Sequence, residues 1–182
     1  MVLHDVNPKV RRLIDSLKGK EMVKVLFVCL GNICRSPAAE GVLQAIVDEH
    51  HAAVRWLVDS AGTGNYHIGS LPDPRMRAHA RRRGLELTHR CRQVSVSDFE
   101  EFDIIVAMDS SNEYNLRELA PSVAAEEKIV QMSAFFSIAT RYDYVPDPYY
   151  EGSEGFELVL NLLDDACLNL YDTVTAAVWG TK

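Results

Sequence analysis

Cys29 and Arg35 stand six residues apart in the segment VLFVCLGNICRSPAAEG, at the join between an apolar run and a helix start. A thiol and a guanidinium at that spacing can bring a nucleophile and a two-point oxyanion grip to one place. Taken alone the pair is weak, because four cysteines and many arginines produce such spacings by chance. The residues between them supply the meaning. Gly31 and Asn32 both tolerate left-handed backbone, which allows a tight loop whose successive amide hydrogens turn inward on one anion. Ser36 followed by Pro37 is a helix-start signal, so the positive end of a helix faces the same point. The amides of Leu30, Gly31, Asn32, Ile33, Cys34, Arg35 and Ser36 then form a cradle of phosphate size. The field that holds an anion there also favours the thiolate of Cys29 over its thiol.

Attack of that sulfur on a phosphate ester leaves an oxygen to be protonated, so a carboxylic acid must reach the cradle from another loop. VPDPYYEG offers Asp147, held between two prolines, with Tyr149 and Tyr150 as aromatic walls. By itself an Asp in such a segment reads first as an exposed turn; paired with the Cys29 loop it reads as the acid.

These residues need a scaffold that brings strand ends and loops together. Residues 23–28, VKVLFV, form a continuous β-branched and aromatic run suited to a strand buried on both faces. Helical and strand patterns then alternate: helix 37–49, strand 55–58, helix 74–83 closed by Gly84, strand 103–108, helix 112–119, strand 128–131, a helical turn from Ser133, and a long amphipathic helix 154–178. This order predicts an open parallel α/β sheet with helices on both faces, whose ligands sit at the carboxyl ends of the strands. Residues 59–73 and 140–153 read as loops bordering a site. Asn7, Pro8, the apolar Val10, Leu13, Ile14 and Leu17, and Gly19 predict a short helix ahead of this pattern. The chain divides into an N-terminal helical extension, 1–22, and one domain, 23–182.

Composition narrows the partners. With 182 residues, 47% hydrophobic and 25% charged, one core is expected. The formal net charge of −7 is the wrong sign for nucleic acid or anionic lipid, so any anion site is local. No stretch approaches the roughly 20 apolar residues of a membrane span, and the first 24 residues lack a signal-peptide core, so the cytoplasm is the default address. Four cysteines are too few for a disulfide scaffold; Cys167 reads as core. No Cys or His spacing suits a metal, and no cofactor is expected. The run Arg75, Arg77, Arg81, Arg82, Arg83 reads as a solvated helix face.

The chain resembles the low-molecular-weight protein tyrosine phosphatases over about residues 23–178. CLGNICRSP carries the match at Cys29, Asn32, Arg35 and Ser36, DPYY carries it at Asp147, and VDSAG, PDPR and AMD follow in the family's order. The resemblance implies a four-stranded parallel sheet in the order 2-1-3-4 and hydrolysis of phosphotyrosine in proteins, with inorganic phosphate released. It implies that Asn32, Ser36 and His89 form the hydrogen-bond network holding the loop, and that Asp109 is a carboxylate behind it. The helix at 8–18 lies before the family's usual start, and Tyr66 stands where members often carry Trp.

Related arginine phosphatases typically carry Thr where this chain has Ile33. An alkyl floor at Ile33 with Tyr66, Tyr149 and Tyr150 as walls suits a flat phenyl ring better than a charged guanidinium. Thiol-linked arsenate reductases share the loop but use further cysteines, for which only Cys91 is a candidate here. A redox-sensing phosphate-binding module is the reading from another class. Cys34 lies five residues from Cys29 and can trap an oxidised nucleophile as a disulfide, which the resemblance supports as regulation added to catalysis.

Overall fold

Strand β1 (Val23–Cys29) runs through the middle of the molecule, and only Lys24 among its seven residues is not fully buried. Its side chains feed two separate apolar layers. Val23, Val25, Phe27 and Cys29 join one cluster, while Leu26 and Val28 join the other. This alternation on a strand with both faces covered is why the run is apolar throughout. The computed structural model describes residues 6–138 and 140–180, so residues 1–5 and 181–182, the outer ends of the two segments expected from sequence, lie outside it.

Strands β2 (Trp56–Gly62), β3 (Ile104–Ala107) and β4 (Ile129–Gln131) complete a parallel sheet in the order β2-β1-β3-β4. Cys29 pairs with Gly62, and Val28 with Ala107. The chain leaves β1 for β2 on one side and later returns to β3 on the other, so the switch of direction lies at the carboxyl end of β1.

Helices α1 (Pro8–Ser16), α2 (Arg35–Glu49), α3 (Pro74–Arg81) and the long α7 (Ser153–Trp179) pack on the larger cluster. The short α4 (Asp98–Glu101), α5 (Ser110–Leu119) and the short α6 (Val123–Glu126) supply the smaller one through Phe99, Leu116 and Ala125. Helix α1 starts at Asn7, whose side chain accepts from the Lys9 amide, with Pro8 next. It buries Val10 and Ile14, and Leu17 follows them into the same core as β1 and α7. The Lys9 ammonium donates to the Ile129 carbonyl at 2.8 Å, so α1 is also tied to the β4 edge. At the C-terminal end of α7, the Gly19 amide donates to the Val178 carbonyl and the Trp179 indole to the Lys20 carbonyl at 2.7 Å.

Several boundaries differ from the sequence expectation. The second strand begins at 56 instead of 55, because Ala53–Arg55 is a 3-10 turn, and runs on to Gly62 through residues expected as loop. Val58, Asp59 and Ser60 do not alternate cleanly, which hid the strand. Helix α3 ends at Arg81, two residues short of its expected end, with Arg82 as its cap and Gly84 at φ +79° turning the chain. Helices α4 and α6 are single turns, too short for apolar periodicity to register.

Candidate active site

The loop from Cys29 to Arg35 leaves β1 and enters α2 directly. Asn32 takes the left-handed conformation at φ +56°; Gly31 does not. Gly31 instead lets the loop lie close to His67, since a Cβ there would be 3.2 Å from His67 Cδ2 and the ring would have to shift. Gly62 serves likewise, because a Cβ would come within 2.7 Å of the Leu30 carbonyl oxygen. The loop carbonyls are gripped from outside: those of Cys29, Leu30, Ile33 and Cys34 accept from Thr63, Gly64, Asp73 and Ala38 amides, and Asn32 accepts from the Cys91 thiol at 2.8 Å. With the carbonyls turned outward, the amides of residues 30–35 have no acceptor among the described residues. They line a nest at the N-terminus of α2, which is an anion-binding arrangement.

Beneath the loop lies a buried polar network. Asn32 Nδ2 donates to Ser36 Oγ at 2.8 Å and to Ser60 Oγ at 3.0 Å, while its Oδ1 faces His89 Nε2 at 3.1 Å and accepts from the Arg92 amide. Ser36 Oγ stands 3.0 Å from Cys29 Sγ. Ser36 was expected to cap α2, but Cys34 occupies the N-cap position and no side chain caps the helix. The Ser36 hydroxyl is spent on the sulfur and on the Ala61 carbonyl.

Arg35 is 2% exposed. Its Nη1 donates to Asp109 at 2.6 Å and to the Val145 carbonyl at 3.2 Å, and its Nη2 lies 3.5 Å from Asp147 Oδ2. Burial opposes the guanidinium charge, but Cys29, Asp109 and Asp147 outweigh it and raise the Arg35 pKa above its ordinary value. Asp109 serves twice, since its other oxygen caps α5 by accepting from the Asn112 amide. Asp147 Oδ1 accepts from the Tyr149 amide at 3.1 Å, which fixes the carboxyl on its proline-bounded turn.

A cavity of about 380 Å³ is lined by Cys29, Leu30, Gly31, Ile33, Cys34 and Arg35 of the loop together with Tyr66, His67, Asp147, Tyr149 and Tyr150. Asn32, Ser36, His89 and Asp109 lie behind this lining, in the network described above. Tyr66 and Tyr150 are 72% and 91% exposed, so they form the rim of the cavity instead of its inner walls. Tyr149 and Tyr150 meet edge to face at 4.9 Å.

The arginine run is a solvated face at Arg75, Arg81 and Arg82, which are exposed, but Arg75 and Arg83 also bond to other elements. Arg75 clasps Asp73, donates to the Tyr149 carbonyl at 3.0 Å and covers the Tyr149 ring, which ties α3 to the Asp147 loop. The hydrogen bond from Arg75, ahead of the opposing effect of burial, holds the Asp73 carboxyl below its ordinary pKa. Arg83 bonds Glu157, Asn161 and Asp164 of α7. Ion pairing across elements leaves no trace in a helix's own periodicity.

Sequence reading also missed His67, Ser60, Arg92, Glu40 and Asp59. Glu40 and Asp59 carboxylates sit 3.3 and 3.4 Å from His89 Nδ1. Burial opposes the imidazolium, but the hydrogen bond and charge of Glu40, aided by Asp59, raise the His89 pKa above its ordinary value. This trio is the one cluster among the described residues whose ligand atoms lie close enough to hold a cation, within 4.8 Å of one another, though no spacing in the sequence pairs them. Cys91 is buried, with its thiol committed to the Asn32 carbonyl. Burial, followed by the nearby negative charges of Asp73, Cys29 and Asp147, raises the Cys34 pKa and keeps that thiol neutral.

The sequence profile described as low molecular weight phosphotyrosine protein phosphatase matches residues 24–178. The chain is 42% identical over 144 residues to the low molecular weight phosphotyrosine protein phosphatase of Schizosaccharomyces pombe, covering 78% of this chain and 91% of that one. It superposes with a TM-score of 0.79 on the protein tyrosine phosphatase of Entamoeba histolytica, whose crystal structure holds Hepes in the active site. Identity there is 45%, covering 82% of this chain and 95% of that one. It also superposes on the Drosophila arginine phosphatase, with a TM-score of 0.77 and 33% identity over 82% of this chain and 96% of that one. The parallel order β2-β1-β3-β4, the loop entering α2 and a profile match over most of the chain lead to one conclusion: this chain belongs to the low molecular weight phosphotyrosine protein phosphatase family.

Proposed function

We propose that the protein hydrolyses phosphotyrosine in proteins through a cysteinyl-phosphate intermediate. The observation that carries this reading is the convergence of the Cys29 sulfur, the Arg35 guanidinium and the Asp147 carboxyl on one cavity. Cys29, as thiolate, forms a bond to phosphorus while the bond from phosphorus to the tyrosyl oxygen breaks; Asp147 gives its proton to that oxygen. The nest amides and Arg35 take the charge that spreads over the equatorial oxygens. Asp147, now a carboxylate, removes a proton from water, which attacks phosphorus and returns Cys29 as thiolate with release of inorganic phosphate. Ser36 donates to the departing sulfur.

The ring of the substrate lies between Ile33 and the tyrosines at 66, 149 and 150. A phosphoserine is too short to bring phosphorus down to Cys29. We take residues 23–182 as the phosphatase domain with 1–22 as an extension of it, working in the cytoplasm on phosphoproteins without a cofactor. No helix among the described residues is long and apolar enough to cross a membrane. Peroxide would convert Cys29 to a sulfenic acid, which condenses with the Cys34 thiol to a disulfide and water; a thiol reductant reverses this.

The likeness to an arginine phosphatase favours a second reading, hydrolysis of phosphoarginine. Ile33 in the cavity lining argues against it, because an alkyl floor cannot solvate a guanidinium. Peptides carrying phosphotyrosine or phosphoarginine separate the two. The expected result is turnover of phosphotyrosine peptide at a kcat/KM at least tenfold higher; preference for phosphoarginine would replace the first reading with the second.

A further inference from the structure

A second cavity, of about 430 Å³, adjoins the first, and Leu30 and Tyr66 line both. Its remaining walls come from Thr63 and Gly64 after β2, Gln93 and Val94, and Asn115, Glu118 and Leu119 of α5. The partition between the cavities is built. A Cβ on Gly64 would lie 2.5 Å from the Tyr66 ring, so the absence of a side chain there lets Tyr66 lie back over the backbone. Gln93 Nε2 donates to the Thr63 carbonyl at 3.1 Å and pins the floor. Leu30 is 43% exposed and, with Tyr66, leaves an apolar ridge between the catalytic cavity and the groove.

The groove has one sign of charge. Glu118 lies on its wall, no Lys, Arg or His lines it, and Glu118 makes no ion pair among the described residues. Its neighbour Glu113, one turn and a half earlier on α5, is by contrast engaged by both Arg117 and Gln131. A chain anchored by phosphate over Cys29 continues outward across the Leu30 and Tyr66 ridge at about 3.3 Å per residue, so a residue two or three positions away reaches the groove.

We propose that this groove, walled by Glu118 and continuous with the catalytic cavity, is a subsite for a Lys or Arg side chain flanking the phosphotyrosine of the substrate. The inference rests on the phosphotyrosine reading above. The aliphatic stem of the basic residue covers Leu30 and Leu119, and its charged head meets Glu118. An exposed pair of this kind gives preference more than affinity, and salt weakens it.

The test uses phosphotyrosine peptides with Lys or Glu placed in turn at each of three positions on either side. At one or two adjacent positions the Lys peptide is expected to have a kcat/KM about fivefold higher than the Glu peptide, with the ratio shrinking as salt is raised. Glu118→Gln should bring the ratio close to one and Glu118→Lys should invert it, while p-nitrophenyl phosphate, which does not reach the groove, is hydrolysed at an unchanged rate. A ratio that Glu118→Lys leaves untouched at every position, with p-nitrophenyl phosphate turnover intact, would overturn the subsite alone. Hydrolysis of p-nitrophenyl phosphate with none of any phosphotyrosine peptide would overturn the substrate reading as well.

Discussion

The Ser36 hydroxyl stands 3.0 Å from the Cys29 sulfur and accepts a hydrogen bond from Asn32 Nδ2, so its single hydrogen is left to Cys29 or to the Ala61 carbonyl. A hydroxyl so oriented stabilises a sulfur that carries charge, both as attacking and as leaving group. Ser36→Ala should therefore slow breakdown of the phosphoenzyme, lowering kcat by about ten- to hundredfold, the worth of a hydrogen bond to a charged group at about 1.5–3 kcal/mol. Rapid-quench kinetics with p-nitrophenyl phosphate should show a burst of nitrophenol followed by a slow steady state. A uniform slowing without a burst would place the loss in the first step instead.

Cys29→Ser should abolish turnover while phosphate still binds in the nest, read by calorimetric titration with inorganic phosphate. Any hydrolysis above background would mean that another group attacks phosphorus.

Asp147→Ala should reduce kcat on phosphotyrosine peptide by about 10²–10⁴. The loss should be smaller for esters whose leaving group needs no proton, so the comparison of tyrosyl with p-nitrophenyl substrates checks the role. Equal losses on both would assign Asp147 to binding and leave the proton donor to be found elsewhere.

The cavity's chemistry was legible before its geometry because a nest demands particular residues. Asn32 tolerates positive φ, Arg35 must fork, and Pro146 and Pro148 restrict the chain around Asp147. What escaped were partners joined through space. Glu40, Asp59 and Arg92 lie far from His89 or Asn32 in sequence or on other elements, and although VDSAG contains Asp59, nothing local pairs it with His89. Ser36 stands in the network expected of it, but Ser before Pro also has the local signature of a cap, whereas α2 begins one residue earlier and the buried sulfur claims the hydroxyl. The arginine run read as solvated, and Arg75, Arg81 and Arg82 are exposed, but the bonds of Arg83 to α7 left no mark in the sequence. The alternation of strands and helices was readable from period alone; the one-turn helices α4 and α6 have no period to read.

His89 gives the fold a pH dependence. Its pKa is raised in the folded protein by Glu40 and Asp59 against the effect of burial. The folded state thus binds this proton more tightly than the unfolded chain does. The stabilisation is complete below the ordinary histidine value of about 6.5 and is lost as pH rises through the raised one. Thermal unfolding of the wild type should show Tm falling over that window, and His89→Gln should flatten that part of the profile. An identical slope in the variant would locate the titration on another group.

Ile14 is 2% exposed in the core shared by α1, β1 and α7. Ile14→Ala should cost about 2–5 kcal/mol of stability in urea unfolding, with kcat on p-nitrophenyl phosphate unchanged at low temperature. A negligible cost would mean that α1 is detached from the core in solution.

Residues 19–20 and 178–179 clasp one another just before β1 begins, while Cys29 lies at the strand's far end, about 20 Å away by strand rise. A group fastened just after Trp179 therefore sits at the edge of the sheet opposite the one that carries Cys29. The protein can be anchored there with its mouth facing outward, and the approach of a large phosphoprotein is left clear.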